Sequence, residues 1–345
     1  MQRYEHGGNI YGTDRILLDF SANLNPLGMP DSVRAALAED PSRFEIYPDP
    51  DCTALRQRLA KAVGTDPENI LMGNGADDMI YRLAFALRPR EVLLTAPSFS
   101  EYEKSAVQAG ARIRYHGLTE ENGFAVTQAF ADDITDGTDL VYLCTPNNPT
   151  GNTVPEDTIR AAADRCRSVG ALLVVDECFL CFTDRTSCVR WLEEYPCLAV
   201  LDAFTKRYAM AGLRLGYLVS RDHSLLERLK ACGPCWNVSG PAQAAGLAAL
   251  DSGDYLERSV ALIREERLRL AEQMSALGLR VFPPEANFLF FKGPETLYED
   301  LLRLGILIRS CDNYPGLGPG CFRVCVHTRE KNERLLTALR EVLHG

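Results

Sequence analysis

From residue 70 onward the chain alternates short apolar runs with longer stretches in which apolar residues recur at helical spacing. Short runs of this kind are typical of strands, and helical stretches of roughly 10–15 residues between them are typical of βαβ units. The continuous apolar run at 172–175 indicates a strand buried on both faces, as in a parallel sheet. The pattern therefore predicts an α/β fold with strands at residues 70–72, 92–95, 112–116, 140–144, 172–175, 199–201 and 215–219.

The pattern changes at Pro241, where helices dominate and strands become sparser. The elements predicted beyond it are helices at 242–250, 255–277, 295–304 and 329–343 and strands at 288–291, 306–308 and 322–326. The first 30 residues are rich in Gly, Asn and Pro and are expected to form an extended arm, followed by a helix from about Asp31.

These elements predict two domains and an arm. We expect a three-layer large domain with a mainly parallel sheet at 41–240 and a smaller α+β domain at 241–345. Residues 1–40, the arm and its helix, are expected to pack with the small domain.

The composition is that of an ordinary soluble globular protein. The chain has 345 residues, 46% of them hydrophobic and 24% charged, with a formal net charge of −10. Charges of both signs are interspersed, so the sequence has no basic stripe for nucleic acid. No apolar run approaches the roughly 18 residues of a membrane span, and the N-terminus lacks the apolar core of a signal peptide. We therefore expect a cytoplasmic protein that binds neither nucleic acid nor membrane.

The twelve cysteines are scattered through predicted core elements. In a chain of this length they favour reduced, buried thiols over a disulfide framework. The CxxC pairs Cys178/Cys181 and Cys232/Cys235 lie much farther apart than the roughly 15–20 residues usual in zinc ribbons. The second pair has the Cys-Gly-Pro-Cys sequence of a thioredoxin-type site, but its position after a helical stretch favours a helix end and loop over a redox role. No metal site is expected.

Three polar segments lie at the ends of predicted strands. Asp176 and Glu177 follow one strand, PNNPTG at 146–151 follows another, and GNGAD at 73–77 lies between a strand and a helix. Ligands of open α/β sheets bind beyond the carboxyl ends of the strands. We therefore expect these segments to meet at one site, together with the segment that contains Lys206.

In this order, the segments around Asn148, Asp176 and Lys206 resemble those of the fold-type I aminotransferase superfamily, whose cofactor is pyridoxal phosphate (PLP). The resemblance covers most of the chain and implies a PLP-dependent transferase-like fold. It implies that Lys206 forms a Schiff base with PLP and acts as base or acid at the substrate Cα. Asp176 would hold the pyridine nitrogen protonated, and Asn148 would bind the ring hydroxyl. Lys206 and Asp176 are thus the expected catalytic residues.

The resemblance also implies which groups hold the rest of the cofactor. Phe99 corresponds to the aromatic residue that stacks on the pyridine ring. Tyr47 corresponds to a tyrosine that reaches the phosphate from the neighbouring subunit, which implies a homodimer with shared active sites. The phosphate ligands expected from the same subunit are the side chains of Thr205 and Arg214 and the backbone N–H groups of Gly75, Ala76 and Asp77 at a helix start.

Two positions depart from the superfamily pattern. Ala203 stands where relatives commonly carry Ser or Thr, which removes one hydrogen bond to the phosphate. Phe179 stands where many aminotransferases carry a Tyr that is bonded to the ring hydroxyl. The departures concern the tuning of the cofactor and not its binding.

Within the superfamily the chain resembles two groups, the histidinol-phosphate aminotransferases and the threonine-phosphate decarboxylases of cobalamin biosynthesis. The segments HGGNI at 6–10, DFSANLNPLG at 19–28 and LIRSCDNYPGL at 307–317 favour the decarboxylases. This resemblance implies decarboxylation of O-phospho-L-threonine to aminopropanol phosphate, with transamination of the histidinol-phosphate type as the alternative. A third interpretation is a catalytically inactive regulator, but Lys206 and Asp176 are intact.

Either substrate would be a small phosphorylated amino acid or amine. The resemblance implies that Arg323 binds a substrate carboxylate or the phosphate, since a guanidinium can hold either in a bidentate manner. The expected substrate-binding residues are His6, Asn9, Asn23, Arg309, Asn313 and Arg323.

Overall fold

The computed structural model describes residues 6–11, 18–283 and 285–344. In chain order the strands are β1 (Leu18–Asp19), β2 (Ile70–Gly73), β3 (Glu91–Ala96), β4 (Arg112–Gly117), β5 (Leu140–Cys144), β6 (Leu172–Asp176), β7 (Leu198–Ala203), β8 (Gly216–Ser220), β9 (Arg280–Val281), β10 (Phe288–Lys292), β11 (Ile306–Leu307), β12 (Arg309–Ser310) and β13 (Cys321–Cys325).

The α-helices are α1 (Asp31–Glu39), α2 (Thr53–Val63), α3 (Ala76–Leu87), α4 (Ser100–Gln108), α5 (Ala129–Asp132), α6 (Glu156–Val169), α7 (Phe204–Arg207), α8 (His223–Cys232), α9 (Gly240–Leu250), α10 (Tyr255–Ala276), α11 (Leu297–Arg303) and α12 (Arg329–His344). Among the described residues, no helix is long and apolar enough to cross a membrane.

Strands β2–β8 form one seven-stranded sheet in the order β2-β8-β7-β6-β5-β3-β4. All strands predicted between residues 70 and 219 are confirmed, and the sheet is mainly parallel. Strand β8 is the exception, since it runs antiparallel to both β2 and β7. The segment between β7 and β8 holds only the short helix α7 and a 3-10 turn at Ala211–Leu213, which cannot span a parallel crossover. This segment contains Lys206 and Arg214.

Helices cover both faces of the sheet and produce the predicted three layers. One face packs against α2, α6 and α9, and the other against α3, α4 and α8. Residues Leu173, Val174 and Val175 of β6 are fully buried, as their continuous apolar pattern predicts.

The small domain contains an antiparallel sheet in the order β12-β13-β10-β9, with an apolar core formed by α10, α12 and Phe20. Strand β1 pairs in parallel with β11, and the Phe20 N–H donates to the Leu307 carbonyl at 2.8 Å, so the start of the chain joins this domain. Helix α1 packs against α9. The exact domain boundaries stay a prediction, and residues 1–5 and 12–17 of the predicted arm lie outside the described residues.

Candidate active site

A cavity of about 430 Å³ lies at the carboxyl ends of β5, β6 and β7, where the small domain meets the large one. Its walls combine residues that are far apart in the sequence. The predicted site residues that line it are His6, Asn23, Ala76, Asp77, Phe99, Asn148, Asp176, Thr205, Lys206, Arg214, Arg309 and Arg323.

Three predicted side chains lie outside this cavity. Asn9 lines a side chamber of about 30 Å³, room for a water molecule and not for a phosphate. Asn313 accepts a hydrogen bond from Nη2 of Arg309 at 2.8 Å. Tyr47 is 76% exposed and stacks on Trp236, with the ring centroids 4.3 Å apart.

Lys206 lies in helix α7, which follows β7 directly, and its Nζ atom is 6.0 Å from the centre of the Phe179 ring. Its surroundings exclude water, which lowers the pKa of Lys206, and the positive charge of Arg323 lowers it further. The Asn25 backbone N–H donates to the Lys206 carbonyl at 3.2 Å, and its side-chain amide donates to the Arg207 carbonyl at 2.8 Å. The segment is therefore held in place, and its lysine has an increased neutral, nucleophilic fraction.

Asp176 ends β6 and has both carboxylate oxygens hydrogen bonded. Oδ2 accepts from the Tyr102 hydroxyl at 2.5 Å, and Oδ1 accepts from the Cys178 N–H at 2.9 Å. Burial raises the pKa of Asp176, and these two hydrogen bonds oppose the rise. Tyr102 is itself fully buried and stacks on Tyr142 with centroids 4.6 Å apart. The carboxylate is therefore fixed in one orientation beside the cavity.

The start of helix α3 and Arg214 form a corner suited to an anion. Gly75 precedes the helix with φ = 84°, and a Cβ atom there would lie 2.6 Å from Nη2 of Arg214, so only glycine admits the guanidinium. The same Nη2 atom donates to Oδ2 of Asp77 at 3.0 Å. The first-turn N–H groups of Ala76 and Asp77, the guanidinium and the Thr205 hydroxyl together provide the donors that a phosphate needs.

Two buried arginines stand opposite each other in the small domain. Arg309 of β12 is the cross-strand partner of Arg323 in β13, and each is only 5% exposed. Arg323 donates through Nη1 to Oδ1 of Asn148, and through Nη2 to the Ser21 carbonyl at 2.8 Å. Burying cations is costly unless a ligand or partner compensates their charge. Two guanidiniums side by side at one cavity form a cationic site that suits an anionic ligand.

The mouth of the cavity is formed by Phe99 and the arm. The His6 ring lies 5.8 Å from the Phe99 ring, and its Nε2 atom lies 2.7 Å from Oε1 of Glu101. Asn23 is 2% exposed, and its Oδ1 atom has no hydrogen-bond partner among the described residues. A buried acceptor at a cavity wall is satisfied when a bound ligand supplies the donor.

Comparison with known proteins identifies the family. The family model described as aminotransferase class I and II matches residues 15–339. The chain belongs to the aminotransferase class I and II family. The threonine-phosphate decarboxylase of Salmonella typhimurium is 40% identical to it over 352 residues, which cover 99% of this chain and 97% of that protein.

Solved structures of the family share the fold. The histidinol-phosphate aminotransferase from Clostridium acetobutylicum superposes with a TM-score of 0.89 and 31% identity, covering 95% of this chain and 99% of that one. The histidinol-phosphate aminotransferase from Sinorhizobium meliloti in complex with pyridoxal-5'-phosphate gives a TM-score of 0.86 and 25% identity, covering 95% of this chain and 91% of that one.

Pyridoxal phosphate is therefore the cofactor of this family member, and the chain is an enzyme of the PLP-dependent decarboxylase and aminotransferase kind. The cavity offers a matching set of groups. It contains an amine with a lowered pKa, a fixed carboxylate, an amide, and a corner in which Gly75 leaves room for the guanidinium of Arg214. The residues present fit this cofactor.

The two departures from the superfamily pattern both line the cavity. Phe179 packs edge-on against Phe288 of β10 at 5.1 Å, so an aromatic contact with the small domain occupies the position where many aminotransferases of this family have a hydroxyl. Ala203 is buried at the end of β7 and brings no hydroxyl to the site.

Several lining residues were not predicted from the sequence, among them Tyr102, Glu101 and Ser21. Tyr102 lies three residues after Phe99 at the start of helix α4, a spacing that places both on one helix face and could have indicated a shared role. Glu101 and Ser21 carried no such signal, because their roles depend on where the arm crosses the cavity.

The cysteines are all free. Helix α8 ends at Cys232, so the prediction of a helix end at the Cys-Gly-Pro-Cys segment is confirmed. Cys178 is buried beside Asp176, and burial raises its pKa well above the ordinary value. Within the described ranges, no cluster of His, Cys, Asp and Glu is suited to a metal ion.

Proposed function

We propose that this enzyme decarboxylates an O-phospho-amino acid and converts O-phospho-L-threonine to aminopropanol phosphate, as in cobalamin biosynthesis. The observation that carries the proposal is the cross-strand pair of buried arginines, Arg309 and Arg323. A substrate with a carboxylate and a phosphate needs two cationic binding groups in addition to those that bind the cofactor phosphate. The 40% identical relative named threonine-phosphate decarboxylase supports the same substrate.

The residues of the large domain would hold the cofactor. Asp176 would pair with the protonated ring nitrogen, Asn148 would donate to the ring hydroxyl, and Phe99 would cover the ring face. The cofactor phosphate would be bound by the side chains of Thr205 and Arg214 and by the N–H groups of Ala76 and Asp77, while the predicted Gly75 N–H donates to the Gly73 carbonyl at 2.9 Å instead.

When bound, PLP would supply an electron sink for the electron pair released at the substrate Cα. Arg323 would bind one substrate anion, and Arg309, held by Asn313, would bind the other beneath His6. The substrate carboxylate would leave as CO₂, and Lys206 would deliver the proton that replaces it at Cα. Asn23 would accept a hydrogen bond from the bound ligand through its buried oxygen.

Transamination of the histidinol-phosphate type is the second candidate, supported by the 31% identical aminotransferase structure. Histidinol phosphate carries a phosphate and no carboxylate, and a transaminase would use the two buried guanidiniums in turn for this phosphate and for the carboxylates of 2-oxoglutarate, whereas a phosphorylated amino acid would engage both at once. The arginine pair suits the phosphorylated amino acid, and the 40% identical threonine-phosphate decarboxylase favours it over the 31% identical aminotransferase.

Two parallel assays test the proposal. Holoenzyme is incubated with O-phospho-L-threonine in one and with histidinol phosphate and 2-oxoglutarate in the other. We expect CO₂ in the first assay and no glutamate in the second. Glutamate formation without CO₂ release would replace the proposal with transamination.

We also propose that the enzyme is a homodimer with shared active sites. Tyr47 and the adjacent Ile46 are each 76% exposed, and Tyr47 stacks on the half-exposed Trp236. Large apolar side chains grouped on a surface are typical of protein interfaces. In such a dimer Tyr47 would complete the phosphate corner of the partner subunit.

A further inference from the structure

The arm segment at residues 6–11 is anchored to the small domain at Ser21. The Gly8 N–H donates to Oγ of Ser21 at 2.7 Å. A Cβ atom on Gly7 would lie 2.1 Å from the Ser21 carbonyl oxygen, so the arm can approach this closely only because residue 7 is glycine. Ser21 is in turn held by Asp19, whose Oδ1 accepts from the Ser21 hydroxyl at 2.6 Å.

The other anchor of the arm is in the large domain. Nε2 of His6 lies 2.7 Å from Oε1 of Glu101, which belongs to helix α4. Glu101 is itself held from two further sides, by Nζ of Lys104 at 3.1 Å on Oε1 and by the Tyr81 hydroxyl at 3.0 Å on Oε2. The arm thus joins the two domains across the mouth of the cavity, with the His6 ring beside Phe99.

Glu101 is an unusual group for the wall of an anion-binding cavity. It is only 9% exposed and lines the cavity that also contains the two buried arginines. Burial alone would raise its pKa, but the hydrogen bonds from Lys104 and Tyr81 and the charge of His6 bring the pKa of Glu101 below its ordinary value. The carboxylate is therefore ionised, and both of its oxygens are hydrogen bonded to groups of the protein.

We propose that Glu101 is the positioning residue of the arm and sets the preference for a phosphorylated ligand. By occupying Nε2 of His6, Glu101 fixes the imidazole at the cavity mouth and leaves the other ring nitrogen to bind the ligand's phosphate. This rests on the proposed function in that the ligand carries a phosphate. Glu101 does not itself touch the ligand in this account, and it acts through His6.

The test compares Glu101→Gln with wild-type holoenzyme through the KM of O-phospho-L-threonine as substrate and the Ki of L-threonine as a competitor. The amide keeps the shape of the carboxylate but loses the charge, so a charge-assisted hydrogen bond becomes a neutral one. We expect the KM of O-phospho-L-threonine to rise about tenfold, with little change in the Ki of L-threonine. The matched control is Glu103→Gln on the same helix, whose carboxylate faces Tyr115, and it should change neither value.

A second variant, Gly7→Ala, displaces the arm from its other anchor and should cause the same selective loss. Hydrogen exchange at the Gly8 amide, followed by mass spectrometry, should accelerate in both variants and not in Glu103→Gln. Equal losses for both ligands, or an unchanged preference for the phosphorylated ligand in Glu101→Gln, would overturn the inference.

The two proposals fail in different ways. A wild-type enzyme that binds O-phospho-L-threonine no better than L-threonine contradicts the proposed substrate, and the comparison is then made with histidinol phosphate and histidinol. A wild-type preference for either phosphorylated ligand that survives Glu101→Gln contradicts only the role of Glu101.

Discussion

Nη1 of Arg323 donates a hydrogen bond to Oδ1 of Asn148, and so links the small domain to the large one at the wall of the cavity. Because this contact takes the carbonyl oxygen of the amide, the NH₂ group of Asn148 remains to donate to a cofactor hydroxyl. Nη2 of Arg323 binds the Ser21 carbonyl at 2.8 Å. A guanidinium has five N–H donors, so Arg323 can hold both partners and still bind an anion.

Replacing Arg323 by Lys should therefore reduce substrate turnover more than it reduces cofactor binding. An ammonium group cannot hold Asn148, the Ser21 carbonyl and an anion in one plane. We expect kcat/KM for O-phospho-L-threonine to fall about ten- to a hundredfold while PLP remains bound. Arg280→Lys is the control, since Arg280 lies in the same domain but pairs with Glu120 at the surface. Steady-state kinetics that are unchanged in Arg323→Lys would contradict the assigned role.

Tyr102→Phe should change the pH dependence of the enzyme. Burial raises the pKa of Asp176, and the Tyr102 hydroxyl lowers it again, so loss of that hydroxyl raises the pKa of Asp176 further. Asp176 must be ionised to hold a protonated ring nitrogen, and activity is lost as the pH falls through its pKa. The acid limb of the kcat profile should therefore move to higher pH by about one pH unit.

Tyr142→Phe is the matched control for that experiment. Tyr142 stacks on Tyr102, but its own hydroxyl is buried and has no hydrogen-bond partner among the described residues. Removing it should leave the pH profile in place. A similar displacement in both variants would show that ring packing, and not the hydroxyl on Asp176, controls the acid limb.

Most of the large sheet could be predicted from the sequence, because a strand buried on both faces is a continuous apolar run. The polar residues at the ends of those strands could be predicted as well, because each of them directly follows such an apolar run. The contact of Tyr102 with Asp176 joins residues 74 positions apart, and that of His6 with Glu101 joins residues 95 apart. The pairing of Arg309 with Arg323 follows from strand register. Such contacts are set by tertiary packing and leave no local pattern.

Tyr47→Ala and Lys206→Ala subunits should complement each other if the active sites are shared. Each variant alone should be impaired, the first in binding PLP and the second in chemistry. In a mixed dimer one site carries both changes and the other carries neither. Equal mixing of dissociated subunits should therefore restore about a quarter of wild-type activity at limiting PLP. No recovery beyond the two separate activities would place Tyr47 outside the partner's site.

Glu177→Gln should stabilise the protein at high pH. Glu177 is 3% exposed, its Oε1 accepts from the Cys188 N–H at 2.7 Å, and burial raises its pKa to about 7. The unfolded chain ionises this group near its ordinary pKa, so the folded state loses relative stability as the pH rises from about 4.5 to 7.

The amide of a glutamine keeps an oxygen that accepts from the Cys188 N–H, and it has no proton that titrates in this pH range. Between pH 5 and pH 8 the free energy of unfolding of Glu177→Gln, relative to wild type, should therefore improve by about 2–3 kcal/mol. Thermal melting at both pH values measures the change. Glu193→Gln, at an exposed surface carboxylate, should show no such trend. A relative stability that is independent of pH would mean that Glu177 is ionised in the folded protein.

The fate of the substrate carboxyl carbon tests the central claim most directly. Holoenzyme is incubated with O-phospho-L-threonine labelled with ¹³C in the carboxyl group, and the products are followed by ¹³C and ³¹P NMR. The account predicts that the label appears in CO₂ and bicarbonate, matched one to one by aminopropanol phosphate. Label retained in a phosphorylated 2-oxo acid, formed on addition of an amino-group acceptor, would contradict it and identify the enzyme as an aminotransferase.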